Sequence, residues 1–327
     1  MKTLTLGIDF NSCEFQRFSW FMRSYRFGVI TPLSLYTCET LVHLRLSWVI
    51  LVHPEFAFLP CLKIMHLECI KCPNEATLEK LILGSPVLED VTIIAYLDDA
   101  PKVLQVRSQT LKRIHINVYT KVVSDAPLLQ YLKTEVNPNN HFKITSSGSF
   151  AKVDISFGGE HSELCEGSMT RDILTAISRV RDLVISFVTW EDVIPYFSKL
   201  QFCYLSRLSA EFSNSDVELL PVILQSCRKL ESLILILAEY VVDSESREPK
   251  VPPCLIASLK FVELKSPIFK YEREMKLVKY ILENSKILEQ LTMQWLCDDI
   301  STEAKYDILK EILAMPRCST TCQILVL

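Results

Sequence analysis

A repeating α/β fold, with one strand in each repeat, is predicted for this 327-residue chain by three observations: a recurring apolar motif, its spacing, and a high apolar content. The motif reads leucine-like, two residues, leucine-like, one residue, leucine-like. Its eleven copies begin at Leu41 (LVHLRL), Leu62 (LKIMHL), Leu88 (LEDVTI), Leu111 (LKRIHI), Leu129 (LQYLKT), Phe150 (FAKVDI), Val180 (VRDLVI), Leu205 (LSRLSA), Leu230 (LESLIL), Leu259 (LKFVEL) and Leu288 (LEQLTM). The steps between them are 21, 26, 23, 18, 21, 30, 25, 25, 29 and 29 residues. A leucine-rich repeat runs roughly 20–29 residues and sets a strand on such a motif. Apolar residues make up 49% of the chain and mean hydropathy is +0.21. That suits repeats that bury their strand leucines and one helix face against their neighbours. The expected fold is α/β, an irregular right-handed leucine-rich-repeat solenoid: a horseshoe with strands on one face and short helices or turns on the other.

The elements follow in order. The opening LTLGIDF is already strand-like, so the sequence enters inside a repeat, and the expectation is either that the segment 14–27 caps it or that an upstream domain is lacking. After the second motif, Asn74 can cap and Gly84 can end a short helix. From 97 to 156 the motifs recur too closely for helices, and Pro101, Pro127, Pro138 and Asn139-Asn140 intervene. Strands joined by turns are expected there. Helices are then predicted over 168–178 (Ile173, Leu174 and Ile177 inward), 190–200 (Val193, Ile194, Phe197, with Pro195 limiting regularity) and 214–226 (Val217, Leu220, Ile223, Leu224). Two more follow, over 271–284 (Met275, Val278, Ile281, Leu282) and over 301–314, capped by Ser301 and burying Ile308, Ile312 and Leu313. A strand over 323–327 is expected to close the last sheet edge. Surface loops are expected over 157–168, with its glycines, and over 243–253, which reads DSESREPKVPP. The latter is the best domain boundary, giving a repeat region of 1–248 and a second region of 249–327.

Composition narrows the function. The chain carries 35 Lys and Arg against 39 Asp and Glu, a net charge of −4. No basic run is long enough to track a phosphate backbone, so nucleic acid is not an expected partner. No apolar run approaches the ~18 residues of a membrane span. The start, MKTLTLGIDF, is too short an apolar stretch for a signal peptide. The expectation is an intracellular protein of cytoplasm, nucleus or both. The 12 cysteines are then read as reduced thiols. Cys69 and Cys72 form a CxxC, but a zinc site needs a second pair and the next cysteine is Cys165. Cys318 and Cys322 form a CxxxC with the same reading.

Catalytic signatures are missing. Only 7 glycines occur, and none forms GxGxxG, GxxxxGK or GxSxG. HExxH does not occur. Asp98-Asp99 and Asp298-Asp299 are adjacent carboxylates, which point apart on a strand. The chain is expected to be no enzyme and to need neither cofactor nor metal. The residues between the motif leucines are a better prospect, because they face the concave side of a solenoid. The basic residues Arg45, His66, Arg113, His115 and Lys133 fall there, on strands spaced about 4.8 Å apart. They are candidates to meet an acidic peptide or a small anion. Further along, Val184, Ile234, Ile236 and Phe261 make the same face more apolar, either a protein-binding strip or a surface covered by the loops over 157–168 and 243–253. Trp20, Trp48, Trp190 and Trp295 are read as core or strand-end packing.

Several segments together resemble the plant F-box/leucine-rich-repeat/FBD family. Residues 35–46 (LYTCETLVHLRL) look like its first well-marked repeat, 59–67 (LPCLKIMHL) like the second, and 84–91 (GSPVLEDV) like the step that follows. VPPCL at 251–255 with SLK at 258–260 resembles the opening of the FBD module, and YILEN at 280–284 with LEQL at 288–291 its helix and next strand. The resemblance spans nearly the whole chain and implies an FBD-like continuation of the same sheet at the C-terminal end. Family members open with an F-box of Leu-Pro-Asp-x-Leu and Lys-Arg-Trp character, which docks the Skp-type adaptor of a cullin ubiquitin ligase. Neither string occurs here. The resemblance thus implies a non-catalytic, target-binding part of such a ligase, with a Skp-type adaptor as partner only where an F-box is supplied upstream. The alternatives are an adaptor-independent scaffold or decoy, or a small-anion receptor on the concave face.

Overall fold

The protein is described by a computed structural model over residues 2–7, 29–97, 102–136, 142–146, 150–157, 167–186, 190–213, 216–238, 251–266, 272–296 and 302–327. It divides into two compact units, residues 1–150 and 151–327.

The first unit contains β1 (Lys2–Gly7), β2 (Val29–Ile30), β3 (Leu41–Ser47), β4 (Val49–Ile50), β5 (Ile64–Cys72), α1 (Glu75–Leu83), β6 (Asp90–Leu97), β7 (Val103–Arg107), β8 (Arg113–Val118), β9 (Lys121–Asp125), β10 (Tyr131–Val136) and β11 (Phe142–Ser146). The pairing is parallel, in the order β1-β3-β5-β6-β8-β10, with β2 beside β4 and β4 beside β5. A second parallel sheet has the order β11-β9-β7. Each copy of the motif turns its leucine-like residues inward. Leu41, Leu44, Leu46, Leu62, Met65, Leu67, Leu88, Val91, Ile93, Leu111, Ile114, Ile116, Leu129 and Leu132 are all buried.

Two backbone devices fix each repeat to the next. A tight turn delivers the first leucine: the N–H groups of Leu62, Leu88 and Leu129 donate to the carbonyls of Leu59, Ser85 and Ala126, three residues back. Pro60, Pro86 and Pro127 hold the second turn position, where a fixed φ suits a type I turn. The second residue of a motif then offers its carbonyl to the repeat that follows. Lys63 O accepts from Glu89 and Asp90, Glu89 O from Lys112 and Arg113, and Lys112 O from Gln130 and Tyr131. Hydroxyls add a third tie, Thr110 Oγ1 donating to Leu88 O at 2.8 Å.

The predicted helix after the second motif is α1. Asn74 caps it, its side chain accepting from Thr77 N at 3.1 Å, and Gly84 ends it, donating to Lys80 O. Gly84 packs so closely on Ala57 that a Cβ would overlap the Ala57 backbone. Among its described residues the stretch expected to be helix-free holds no helix, but its return segments form strands rather than plain turns. Seven residues separate the end of β8 from the turn that starts at Ala126. Extended, at ~3.3 Å per residue, they span about 23 Å; as helix, at ~1.5 Å, only about 10 Å. Only the extended form reaches back along a six-residue strand. The result is β7, β9 and β11, which bury Leu104, Val106, Val122 and Phe142.

Trp48 and Cys69 follow the paired residues Ser47 and Glu68 and both have positive φ, 59° and 52°. The register of β5 against β6 shifts between Glu68 and Ile70, a β-bulge.

The second unit contains β12 (Lys152–Phe157), α2 (Gly167–Ala176), β13 (Asp182–Ser186), α3 (Trp190–Phe197), β14 (Arg207–Ser213), a 3-10 turn over Asp216–Leu219 leading into α4 (Leu220–Gln225), β15 (Ser232–Ala238), α5 (Pro253–Ala257), β16 (Phe261–Ser266), α6 (Glu272–Asn284), β17 (Gln290–Trp295), α7 (Thr302–Ala314) and β18 (Gln323–Val326). Its strands pair in parallel in chain order. The carbonyl catch recurs: Arg181 O accepts from Ser206 and Arg207, Ser206 O from Glu231 and Ser232, Glu231 O from Lys260 and Phe261, and Lys260 O from Glu289 and Gln290. Ser258 Oγ donates to Leu230 O at 2.8 Å and Ser319 Oγ to Leu288 O at 2.6 Å.

Successive helices pack side by side on one face of the sheet. Ile173, Leu174, Ile177, Val193, Phe197, Leu220, Ile223, Leu224, Val278, Ile281 and Leu282 are buried as the periodicity predicts. Trp190 anchors this layer, stacked on Phe212 at 4.9 Å and edge-on to Phe197 at 6.0 Å. Its Nε1 donates to Glu211 O at 2.8 Å. Two expectations need correction. Leu313 is 52% exposed: Ile308 and Ile312, four residues apart, share the inward face, and Leu313 lies about 100° around from Ile312. Pro253 opens α5 rather than ending a loop, since proline suits a first helical position. The expected loops over 157–168 and 243–253 fall largely outside the described residues, as do Ser301, Trp20, the segment 14–27 and both aspartate pairs.

Candidate functional site

The alternation of each strand sends the motif leucines to the core and the residues between them to the opposite face. In the first unit the register aligns those residues into rows. Thr5, Arg45, His66, Thr92, His115 and Lys133 pair in succession across β1, β3, β5, β6, β8 and β10. A second row runs Thr3, His43, Ile64, Asp90, Arg113 and Tyr131. Four of the five basic candidates, Arg45, His66, His115 and Lys133, therefore share one row, and Arg113 occupies the next.

They do not form a bare cationic patch. Arg45 pairs with Glu68 at 3.2 Å. Asp90 lies between two cationic candidates, its Oδ1 3.8 Å from His66 Nε2 and its Oδ2 3.2 Å from Arg113 Nε. The Arg113 guanidinium also lies over the Tyr131 ring, 4.9 Å from its centroid. Asn117 donates to Glu135 at 3.0 Å. These contacts are half-exposed, so each is worth little in isolation, about 0–1 kcal/mol. Together they fix side-chain positions and cancel charge. Sequence reasoning missed Glu68 and Asp90, though the signal was present: Asp90 occupies in LEDVTI the place that Arg113 occupies in LKRIHI, and Glu68 directly follows the second motif. At the foot of the same strands Glu89 accepts from Lys112 at 2.8 Å and lies 3.8 Å from Lys63. The Lys112 hydrogen bond and charge, with Lys63 adding to them, hold the Glu89 carboxyl below its ordinary range.

In the second unit the equivalent row is Asp154, Val184, Ser209, Ile234, Glu263, Thr292 and Leu325. The neighbouring row carries Glu211, Ile236, Lys265 and Gln294. Ion pairs again cross it, Lys152 with Asp182 at 3.9 Å and Lys265 with Glu263 at 3.3 Å. The apolar strip predicted here stands in one region, with Val184, Ile234 and Ile236 half-buried and Phe261 43% exposed.

Other candidate chemistry resolves into packing. Cys72 is buried, its Sγ donating to Asn74 O at 3.2 Å, and Cys69 is half-buried. Among the described residues no group of three or more His, Cys, Asp or Glu side chains is placed to hold a metal ion. Burial pushes the Cys254 thiol up to about 11 and Cys227, with Cys254 nearby, higher still. Both therefore stay protonated near neutral pH and are poor nucleophiles. Burial also raises the Tyr280 phenol to about 12. Trp48, Trp190 and Trp295 are all buried. No helix among the described residues is long and apolar enough to cross a membrane.

Comparison with known proteins adds the following. Residues 248–293 match the family model described as FBD. Residues 12–149 match the model described as FBD-associated F-box protein At5g56370, LRR repeats. The F-box/FBD/LRR-repeat protein At1g51370 of Arabidopsis thaliana is 50% identical over 307 residues, covering 90% of this chain and 70% of that protein. The F-box/FBD/LRR-repeat protein At5g53840 of the same plant is 45% identical over 291 residues, covering 84% and 64% respectively. The FBD-associated F-box protein At5g22730, also from Arabidopsis thaliana, is 40% identical over 323 residues, covering 90% and 68%.

Proposed function

The chain belongs to the F-box/FBD/LRR-repeat family, and from that premise we propose that it is a non-catalytic target-binding module of an F-box-type ubiquitin ligase. In this reading a protein target lies across the open strand face. The observation that carries it is the row register within each unit: Arg45, His66, His115 and Lys133 share a row beside ion-paired carboxylates in the first, and Val184 and Ile234 share a row in the second, with Phe261 on the same face. A surface on which Arg45, His66 and Arg113 already lie beside carboxylates suits a large partner of mixed polarity better than a small anion. The same reading makes the repeats a right-handed, curved solenoid, since crossovers between parallel strands are right-handed in the great majority of folds. It divides the chain by repeat type into 1–248 and an FBD-like 249–327, and it places the protein in cytoplasm, nucleus or both. Skp-type adaptor docking falls to an F-box, so the adaptor is a partner where one is joined to this chain.

A photo-crosslinking side chain installed at Arg45 or Ile234 tests the target surface. Capture of one and the same plant protein from both positions, and not from Lys279 on α6, is the expected result; equal capture from all three positions would refute it. Co-purification with a Skp-type adaptor, using At1g51370 as positive control, separates ligase membership from the adaptor-independent reading. Retention assigns docking to this chain itself; loss beside a binding control makes it a recognition module alone.

A further inference from the structure

We propose that a cleft between α2 and α3, on the helix side of the second unit, binds a phosphate monoester. The cleft is lined by Arg171 and Thr175 from α2, Tyr196 from α3, and Lys199 and Leu200 just beyond it. It encloses about 330 Å³, the lower end of the range for small-ligand sites.

Its geometry depends on a glycine. Gly167, Arg171 and Thr175 recur every four residues and so share one face of α2. The Tyr196 hydroxyl rests on Gly167 so closely that a Cβ there would overlap the phenol oxygen. Glycine at 167 thus admits the Tyr196 ring between the helices, where it forms a wall of the cleft.

The lining is a donor set in want of an acceptor. Among the described residues neither Arg171 nor Lys199 has an ion-pair partner, and the Tyr196 hydroxyl has no hydrogen-bond partner. No carboxylate lines the cleft. The Thr175 hydroxyl is already committed, donating to Arg171 O at 2.7 Å. What remains is a planar guanidinium fork, a compact ammonium and a phenolic O–H. A carboxylate presents two oxygens, whereas a phosphate monoester presents three terminal oxygens and about two negative charges, enough to engage all three donors. Arginine with lysine is also the common pairing for phosphate, one supplying bidentate geometry and the other a point charge. Leu200 and the Tyr196 ring supply the apolar part of the lining, which suits the group that carries the phosphate. The volume exceeds what a bare phosphate fills and leaves room for the group that carries it.

The contrast with the strand face supports the assignment. There, Arg45 and Arg113 have carboxylate partners; here the cations have none. The cleft is independent of the target-binding reading, because within the second unit it lies on the opposite side of the sheet from Val184, Ile234 and Phe261.

The test is a titration of the full chain, followed by ³¹P line broadening and calorimetry. The probes are inorganic phosphate, glucose 6-phosphate and a short peptide bearing one phosphoserine. At least one monoester should bind more tightly than inorganic phosphate. The exposed substitutions Arg171→Ala and Lys199→Ala should each weaken it about tenfold, and Tyr196→Phe about threefold, as expected for charged and neutral hydrogen bonds. A tighter peptide than sugar phosphate assigns the source to a phosphorylated protein, and the reverse to a small metabolite. The proposal is overturned if inorganic phosphate matches both monoesters, if nothing binds, or if the Arg171→Ala, Lys199→Ala double variant binds as well as the parent while retaining its circular dichroism.

Discussion

The repeats from Leu88 to Ser146 and those from Val180 to Ser266 carry the same motif, the same turn and the same carbonyl catch, yet their return segments differ. In the first set the returns are β7, β9 and β11, joined into a sheet of their own. In the second they are helices, packed side by side. Length decides. The return after β8 has seven residues before its turn, while fifteen separate the end of β13 from the turn that starts at Phe202. Fifteen residues can form an eight-residue helix and still reach back; seven reach only when extended. Composition agrees, since Val122, Val123 and Ile144 are strand formers. The distance to be crossed is the prior constraint.

The two regions should therefore fail differently when perturbed. The largest effect is expected at Trp190→Ala, which removes the stack on Phe212, the edge contact with Phe197 and the bond to Glu211 O. Urea denaturation should show a loss of about 3–5 kcal/mol, with hydrogen-exchange protection falling first in α3 and β14. Leu104→Ala, in the strand-backed layer, should cost about 2–4 kcal/mol. A loss there equal to that at Trp190 would mean that the two kinds of backing are equally anchored. Asn74→Ala, which uncaps the helix of the first unit, should cost about 1 kcal/mol in the same assay. Thr110→Val and Ser258→Ala each delete a hydroxyl tie to the preceding motif carbonyl. They should cost similar amounts, about 1 kcal/mol, and markedly unequal values would show that the shared motif is held differently in the two regions.

The smallest effect concerns Glu89. Its folded carboxyl titrates below the ordinary value, so its contribution is present above the unfolded pKa and is lost as pH falls through the folded one. Carboxyl NMR should find Glu89 titrating low, and Lys112→Met should return it toward 4.5, its ordinary value. An unchanged titration in that variant would remove Lys112 as the cause.

The motif made much of this legible. The described strands from β5 onward that carry the motif begin two residues into it, and the helix faces were readable from apolar periodicity, with Ile194, Met275 and Ile308 half-buried and Leu313 exposed. The described part of the strand-like opening, LTLG, lies in β1. The backing sheet was not readable as strands, because Val103–Arg107 and Lys121–Asp125 are short and their burial depends on neighbours 18 or more residues away. The register sets the five basic candidates on one face and puts three of them, Arg45, His66 and Arg113, beside carboxylates. Reading only the cations hid Glu68 and Asp90, whose positions follow from the same alternation. The cleft beneath Tyr196 left no local signal: it arises from a glycine on one helix and a tyrosine on the next, 29 positions apart.

The carbonyl catch has a further consequence. In a coiled coil, inserting a few residues shifts the phase of everything downstream. Here the carbonyl of a motif's second residue re-sets the alignment of the next strand, through two N–H bonds at Lys63, Glu89, Lys112, Arg181, Ser206, Glu231 and Lys260, whatever lies between. Steps as different as 18 and 29 residues therefore end in the same register. Within either unit, insertions and deletions between catches are local errors that the next rung corrects. A gene encoding such a chain can lengthen, shorten or rewrite its connecting segments while the order of side chains presented by its strands stays in step.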